Sequence, residues 1–187
     1  MLWRKDVGVC LQSYSRNHIY ALAKIGKESE WWHFTGIYGN PEVCRRKETW
    51  QLLRYLSKNS IRPWLCVGDF NEILHQHEKA GLTSRAQWQI TDFRRCLDEV
   101  GLQDMGFRGN LFTWCNGKEY PHTIRAWLDR ACCNPNWSQF FPKAHVQHEE
   151  LSSSDHSAIW MDLDPPRVAG FGQRKKRFRF EAVWPNT

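Results

Sequence analysis

The stretch at residues 64–72, Trp-Leu-Cys-Val-Gly-Asp-Phe-Asn-Glu, constrains the fold more than any other part of the sequence. Its four leading apolar residues are enough for a buried strand and too few for a helix. Gly68 then interrupts the run, and Asp69 and Asn71 follow with one residue between them. Because alternate side chains of a strand point the same way, Asp69 and Asn71 are predicted to project together, with Phe70 turned into the core.

This pattern places polar side chains at the end of a central strand, where α/β proteins hold their binding and catalytic groups. A carboxylate beside a carboxamide can bind a hydrated magnesium ion, a water or a phosphate oxygen. The alternative is that Asp69 and Asn71 only stabilise a turn, which both residue types favour. Matching groups elsewhere in the chain are needed before the chemical interpretation is favoured.

The composition indicates one globular domain. The chain has 187 residues, of which 41% are hydrophobic, so it can bury an ordinary core. Neither a membrane-length apolar run nor a signal-peptide pattern is present, so we expect an intracellular protein with no membrane partner. The seven cysteines form no CxxC pair, which indicates reduced thiols and not a zinc cluster.

Most of the net charge of +6 lies near the carboxyl end. Residues 165–187 contain six basic side chains and one acidic side chain, Glu181. Such a tail can bind nucleic acid or act as a nuclear address, and it can equally be a solvated linker. We therefore divide the chain into a domain over residues 1–164 and a basic tail or linker over residues 165–187.

Hydrophobic periodicity predicts an α+β domain that opens with three strands and no helix between them. Asn40 and Pro41 have the pattern of an N-cap and a first helical residue, which predicts a helix to about Ser57. A second amphipathic helix is predicted to end at Gly101. The predicted strands cover residues 7–14, 18–25, 31–38, 64–67, 111–115, 123–132, 145–149 and 158–163, with a loop over 75–85. Asn134 and Pro135 repeat the N-cap pattern before a short helix predicted over 137–141.

More polar groups follow the other predicted strands, and a carboxylate is paired with a histidine among them. A carboxylate beside an imidazole can fix its tautomer and support its charged form, although such a pair alone is more often an ordinary turn. Phosphodiester hydrolysis requires a carboxylate to orient water, donors for the phosphate oxygens, and a divalent ion to offset the charge. The candidate groups are Tyr38, Asp69, Asn71, Asp129, Asp155 and His156.

The order of the motifs resembles the endonuclease/exonuclease/phosphatase superfamily, and is most similar to the apurinic-type endonuclease domain of LINE retrotransposons, particularly those of plants. The resemblance spans roughly residues 1–164 and is carried by the ordered set of motifs. It implies a two-sheet β-sandwich flanked by helices in four layers, with a phosphodiesterase site at one rim. The matching segments are Ile37-Tyr38-Gly39, Gly68-Asp69-Phe70-Asn71, Phe112-Thr113-Trp114, Leu128-Asp129-Arg130 and Ser154-Asp155-His156.

The resemblance also implies a role for each candidate residue and DNA as the partner, with no small-molecule cofactor. His156 would contact or protonate the scissile phosphate, and Asp129 would hold its imidazole. Asp69 would position or activate the attacking water, and Asn71 would fix that water and the phosphate. Tyr38 would hydrogen-bond the phosphate.

The departures from the family pattern mainly concern the metal. Asp155 is implied to lie near Mg²⁺, or Mn²⁺ as an alternative, but the glutamate that is the principal ligand belongs to strands upstream of the resemblance. Asn17, Glu28 and Glu30 are the only early residues of the matching types, and none stands in a matching context. We therefore expect missing initial strands, impaired metal binding and weak or no activity. Trp127 also replaces an arginine that is usual in the family.

Two other functions stay open at this point. One is a phosphatase of the same superfamily that acts on phosphoinositides or small phosphoesters. The other is a non-catalytic nucleic-acid-binding module that uses the basic tail and binds with a steep salt dependence. A third interpretation is a pseudogene product with no folded role.

Overall fold

The computed structural model describes residues 7–26, 29–58, 62–151 and 153–163. The strands are β1 (Val7–Ser15), β2 (His18–Ile25), β3 (Trp32–Tyr38), β4 (Trp64–Asp69), β5 (Lys79–Ala80), β6 (Gln103–Asp104), β7 (Trp114–Cys115), β8 (Arg125–Ala126), β9 (Asp129–Cys133), β10 (His145–Glu149) and β11 (Ala158–Asp162). The helices are α1 (Arg46–Ser57), α2 (Gln87–Val100) and α3 (Pro135–Phe140). The predicted α+β class is confirmed.

The centre of the fold is a six-stranded mixed sheet in the order β1-β2-β3-β4-β9-β6. In the described part of the chain, β10 pairs with β11, and β5, β8 and β7 form a small third sheet in that order. The middle of this sheet, at β3, β4 and β9, is buried on both faces. Helices α1 and α2 cover one face, where the rings of Trp50 and Phe93 stack at 4.7 Å.

The second face packs against α3, β10 and β11. Trp137 of α3 and Val146 of β10 belong to the same buried apolar cluster as Leu65 of β4 on this side, whereas the adjacent Trp64 belongs to the core under α1 and α2. This alternation is expected for a strand that is buried on both faces. The central sheet is therefore sandwiched between helices and a second β layer, as the resemblance implied.

The register of the central sheet brings three strand ends to one rim. Strands β3 and β4 are parallel, with Tyr38 opposite Asp69. Strands β4 and β9 are antiparallel, with Asp69 opposite Asp129. Tyr38, Asp69 and Asp129 thus lie side by side on three neighbouring strands.

Two glycines permit a close backbone approach beside this rim. Gly68 has a φ of 145°, and a Cβ there would collide with the carbonyl of Ile37. A Cβ on Gly39 would collide with the carbonyl of Phe70. The segments that leave β3 and β4 are therefore closer than any residue with a side chain would allow.

The predicted start of the first helix is wrong. The side chain of Asn40 accepts a hydrogen bond from the Glu42 N–H at 3.1 Å in a local turn, a 3-10 turn over Val43–Arg45 follows, and α1 begins only at Arg46. The same sequence pattern predicts α3 correctly. There Asn134 is the N-cap and accepts from the Trp137 N–H at 2.9 Å.

Strands predicted over 111–115 and 123–132 are largely replaced by shorter pieces, β7, β8 and β9. The break between β8 and β9 arises because the N–H groups of Leu128 and Asp129 donate to the buried hydroxyl of Thr113. The predicted loop over 75–85 contains a 3-10 turn at Gln76–Glu78 and β5. The basic tail over 165–187 lies outside the described residues. Within the described ranges, none of the helices has the length and apolarity to cross a membrane.

Candidate active site

The carboxylate of Asp69 is held by a tight turn at the end of β4. Asn71 has a positive φ of 56°, so its backbone N–H reaches Asp69 Oδ1 at 2.7 Å. Its side-chain amide donates to Asp69 Oδ2 at 2.7 Å and to the Gly39 carbonyl at 2.9 Å. The two side chains do meet, but the extended geometry predicted for them is wrong, because the strand ends at Asp69. Phe70 is fully buried, as predicted.

The predicted pairing of Asp129 with His156 is present. Nδ1 of His156 lies 2.8 Å from Oδ2 of Asp129. Asp129 is the register partner of Asp69 across β4 and β9, and the charges of both carboxylates act on the imidazole. Side chains from two strand ends and the loop before β11 therefore form one cluster.

The electrostatics of the cluster shift the pKa values of two groups toward neutral pH. Burial, followed by the negative charge of Asp129, raises the pKa of Asp69 from 3.8 to about 6. The hydrogen bond to Asp129 raises the pKa of His156 above its usual 6.5. An acid and a base are most effective when their pKa values lie near the working pH. The cluster thus contains a carboxylate and an imidazole suited to proton transfer.

Tyr38 and Asp155 lie at the margin of the cluster. Tyr38 is 49% exposed, and its backbone is held by Asn17, whose side-chain amide donates to the Tyr38 carbonyl at 2.9 Å. The carboxylate of Asp155 accepts a hydrogen bond from the indole of Trp114 at 3.2 Å. Trp114 itself packs against the apolar cluster beneath the site. The negative charge of Asp155 also contributes to the raised pKa of His156.

Sequence reasoning missed two residues that fix Asp129. The buried hydroxyl of Thr113 accepts from the Asp129 N–H at 3.0 Å, and its carbonyl accepts from the Ser157 N–H at 2.7 Å. The indole of Trp127 donates to the Asp129 carbonyl at 2.8 Å. Thr113 lies in the Phe112-Thr113-Trp114 segment, for which the resemblance implies no role, and Trp127 is a departure from the family pattern.

At His156, the cluster borders a cavity of about 240 Å³. His156 lies on its wall together with Phe112, Trp114 and Arg125. The cavity has both apolar and charged walls and is open to solvent, so the imidazole of His156 can be reached from outside.

The described residues do not provide a ready magnesium site. Among them, no three His, Cys, Asp or Glu side chains are grouped so that they could hold a metal ion. Both oxygens of Asp69 accept hydrogen bonds from Asn71, and an oxygen of Asp129 is taken by His156. One oxygen of Asp155, which is predicted to lie near the metal, accepts a hydrogen bond from the Trp114 indole. These oxygen atoms do not fit a cation site made of protein carboxylates.

Comparisons with solved structures identify the fold. The endonuclease domain of TRAS1, a telomere-specific non-LTR retrotransposon, matches with a TM-score of 0.69 and 15% identity, over 89% of this chain and 73% of that domain. An endonuclease/exonuclease/phosphatase family protein from Leptotrichia buccalis C-1013-b matches with a TM-score of 0.51 and 14% identity, over 84% of this chain and 60% of that one. The chain has the endonuclease/exonuclease/phosphatase fold.

The fold is shared with the AP endonuclease LMAP from Leishmania major, with a TM-score of 0.58 and 12% identity, over 78% of this chain and 54% of that enzyme. The match thus covers little more than half of LMAP. A scan against protein-family models found no match. A search of the curated proteins also found none.

Proposed function

We propose that this site hydrolyses phosphodiester bonds in DNA. The observation that carries the proposal is the 2.8 Å contact between Asp129 and His156 directly beside the Asp69–Asn71 turn. The matched domain of TRAS1 is an endonuclease domain and LMAP is an AP endonuclease, which supports a nuclease as the function of this fold here. The finer assignment, to the endonuclease type of LINE retrotransposons, rests on the ordered sequence motifs.

The proposed reaction is attack of water on phosphorus. Ionised Asp69 accepts the proton of the water, and Asn71 keeps the carboxylate in place. Because Nδ1 of His156 is engaged by Asp129, Nε2 is the nitrogen that meets the phosphate. The charged imidazole stabilises the phosphate oxygens and gives its proton to the leaving oxygen as the P–O bond breaks.

We also propose that activity requires Mg²⁺ or Mn²⁺ and that this chain binds the ion weakly. Support for weak binding is the absence of a three-ligand group among the described residues. A divalent ion would supply charge neutralisation at the phosphate. We also propose a nuclear location. Its support is the basic composition of residues 165–187 alone.

Single-turnover cleavage of a labelled duplex, with protein in excess and Mg²⁺ or Mn²⁺ varied, tests the proposal. We expect slow cleavage by the wild type, with Asp69→Asn and His156→Ala each slower by roughly 100-fold or more. The surface variant Arg54→Met is the matched control and should cleave at the wild-type rate, because Arg54 lies on α1 in an exposed pair with Glu99. Cleavage that persists in both site variants would contradict the assignment.

The same protein preparation separates the alternatives. Hydrolysis of p-nitrophenyl phosphate without cleavage of DNA would favour the phosphatase. Salt-dependent DNA binding that survives Asp69→Asn and disappears when residues 174–179 are removed, again without cleavage, would favour the binding module.

A further inference from the structure

A buried arginine connects the two loops that leave β3 and β4. Arg46, at the start of α1, is only 7% exposed. It donates through Nε to the Asn40 carbonyl at 3.3 Å and through Nη2 to the Pro41 carbonyl at 3.1 Å. Its third nitrogen, Nη1, donates to the Glu72 carboxylate at 2.5 Å. One planar side chain therefore holds the loop after Tyr38 and the loop after Asp69 together.

Glu72 is the partner of Arg46 and directly follows Asn71. Its side chain is fully buried, and it also pairs with Arg85 at 2.8 Å and accepts from the Ile73 N–H at 2.9 Å. Glu72 is thus fixed on several sides. Because it adjoins Asn71 in the chain, its position limits where the backbone of Asn71 can lie.

The two loops that Arg46 connects also touch each other at the catalytic cluster. The Gly39 N–H donates to the Asp69 carbonyl at 2.6 Å, and the Asn71 amide donates back to the Gly39 carbonyl at 2.9 Å. A change in the spacing of the loops must therefore alter the hydrogen bonds of the Asn71 side-chain amide. This amide orients the Asp69 carboxylate.

We propose that the Arg46–Glu72 pair is a positioning device that sets the Asn71 amide against Asp69. Its catalytic consequence rests on the proposed function, but the positioning itself does not. Net stability is a weak reason for such a pair, because replacing buried ion pairs by apolar residues of similar volume is often neutral or stabilising. Geometry is a stronger reason, since a displacement of about 1 Å at a reacting group can cost roughly 100-fold in rate.

The test compares the double variant Arg46→Met/Glu72→Leu with the wild type by NMR of the Asn71 side-chain amide. In the wild type both amide hydrogens are donated, so we expect two widely separated and slowly exchanging resonances. In the folded double variant we expect them to move to the positions of a free amide and to exchange fast. Unchanged resonances in a folded double variant would overturn the proposal.

The control is Arg54→Met/Glu99→Leu, which removes an exposed pair between α1 and α2 and should leave the Asn71 amide unchanged. A shift of the amide in this control as large as in the Arg46 variant would overturn the proposal. If the double variant does not fold, Arg46→Lys replaces it. Lysine keeps the charge and loses the planar contacts with the two carbonyls. Asn71 amide resonances in Arg46→Lys that match those of the wild type would therefore also overturn the proposal.

Cleavage measurements then separate positioning from the proposed function. We expect kcat of Arg46→Met/Glu72→Leu to fall by roughly 10- to 100-fold with little change in KM, and Arg46→Lys to recover part of it. A wild-type protein that does not cleave DNA would refute the proposed function, whereas the Asn71 amide would still decide the positioning claim.

Discussion

Thr113→Val should destabilise the fold through the loss of one oxygen atom. The Thr113 hydroxyl, in a residue 1% exposed, accepts from the Leu128 and Asp129 N–H groups, both at 3.0 Å. Valine has nearly the same shape but cannot accept, so both buried N–H groups lose their partner. Each unsatisfied donor costs about 1–3 kcal/mol. Allowing for some relaxation of the backbone, we expect a loss of about 2–4 kcal/mol in the free energy of unfolding.

Urea unfolding followed by tryptophan fluorescence measures this loss, and Thr113→Ser provides the control. Serine keeps the acceptor and removes one methyl group, which should cost about 1 kcal/mol. A valine variant within about 0.5 kcal/mol of the wild type, which is the range of an ordinary surface substitution, would refute the reasoning. Equal destabilisation by serine and valine would refute it as well, because the effect would then come from packing.

Three further predictions concern the Asp69 carboxyl and the Asn134 side chain. The Asp69 carboxyl should titrate at about 6 by carbon NMR. In Asp129→Asn it should titrate at lower pH, because the Asp129 charge contributes to the raised pKa. An unchanged midpoint in that variant would contradict this prediction. Because the folded state raises that pKa, ionisation of Asp69 disfavours folding, so the wild type should lose stability as the pH rises from about 4 to about 6. Asp69→Asn should not show that loss in urea unfolding. Asn134→Ala should cost about 2 kcal/mol, since the side chain caps α3 and accepts from the Trp64 N–H at 2.9 Å, whereas Asn134→Asp, which keeps the acceptor, should cost less.

The sequence predicted best what local patterns determine. The run before Gly68 identified β4, and the Asn134-Pro135 pair identified the start of α3, because a strand of apolar residues and an N-cap are both encoded by neighbours in the chain. The equally plausible Asn40-Pro41 pair failed. There the Asn40 N–H donates to Thr49 and its carbonyl accepts from Arg46, so tertiary contacts hold the residue outside the helix.

The site was predicted from motif order and not from periodicity. The residues that meet at the rim are far apart in sequence, and their meeting depends on the register of β4 with β3 and β9. Residues that support them, such as Thr113 and Arg46, act through contacts across the fold that no local pattern specifies. Their residue types, a threonine and an arginine, occur elsewhere in the chain on its surface.

The proposed chemistry depends on the ends of β4 and β9 and the loop before β11 meeting in one ionised cluster. The most direct measurement is an NMR titration of the His156 imidazole in the wild type and in Asp129→Asn. We expect a pKa above 6.5 in the wild type and a clearly lower pKa in the variant, because Asp129 is the largest cause of the shift. The same midpoint in both proteins would show that the two side chains do not meet, and would contradict the account.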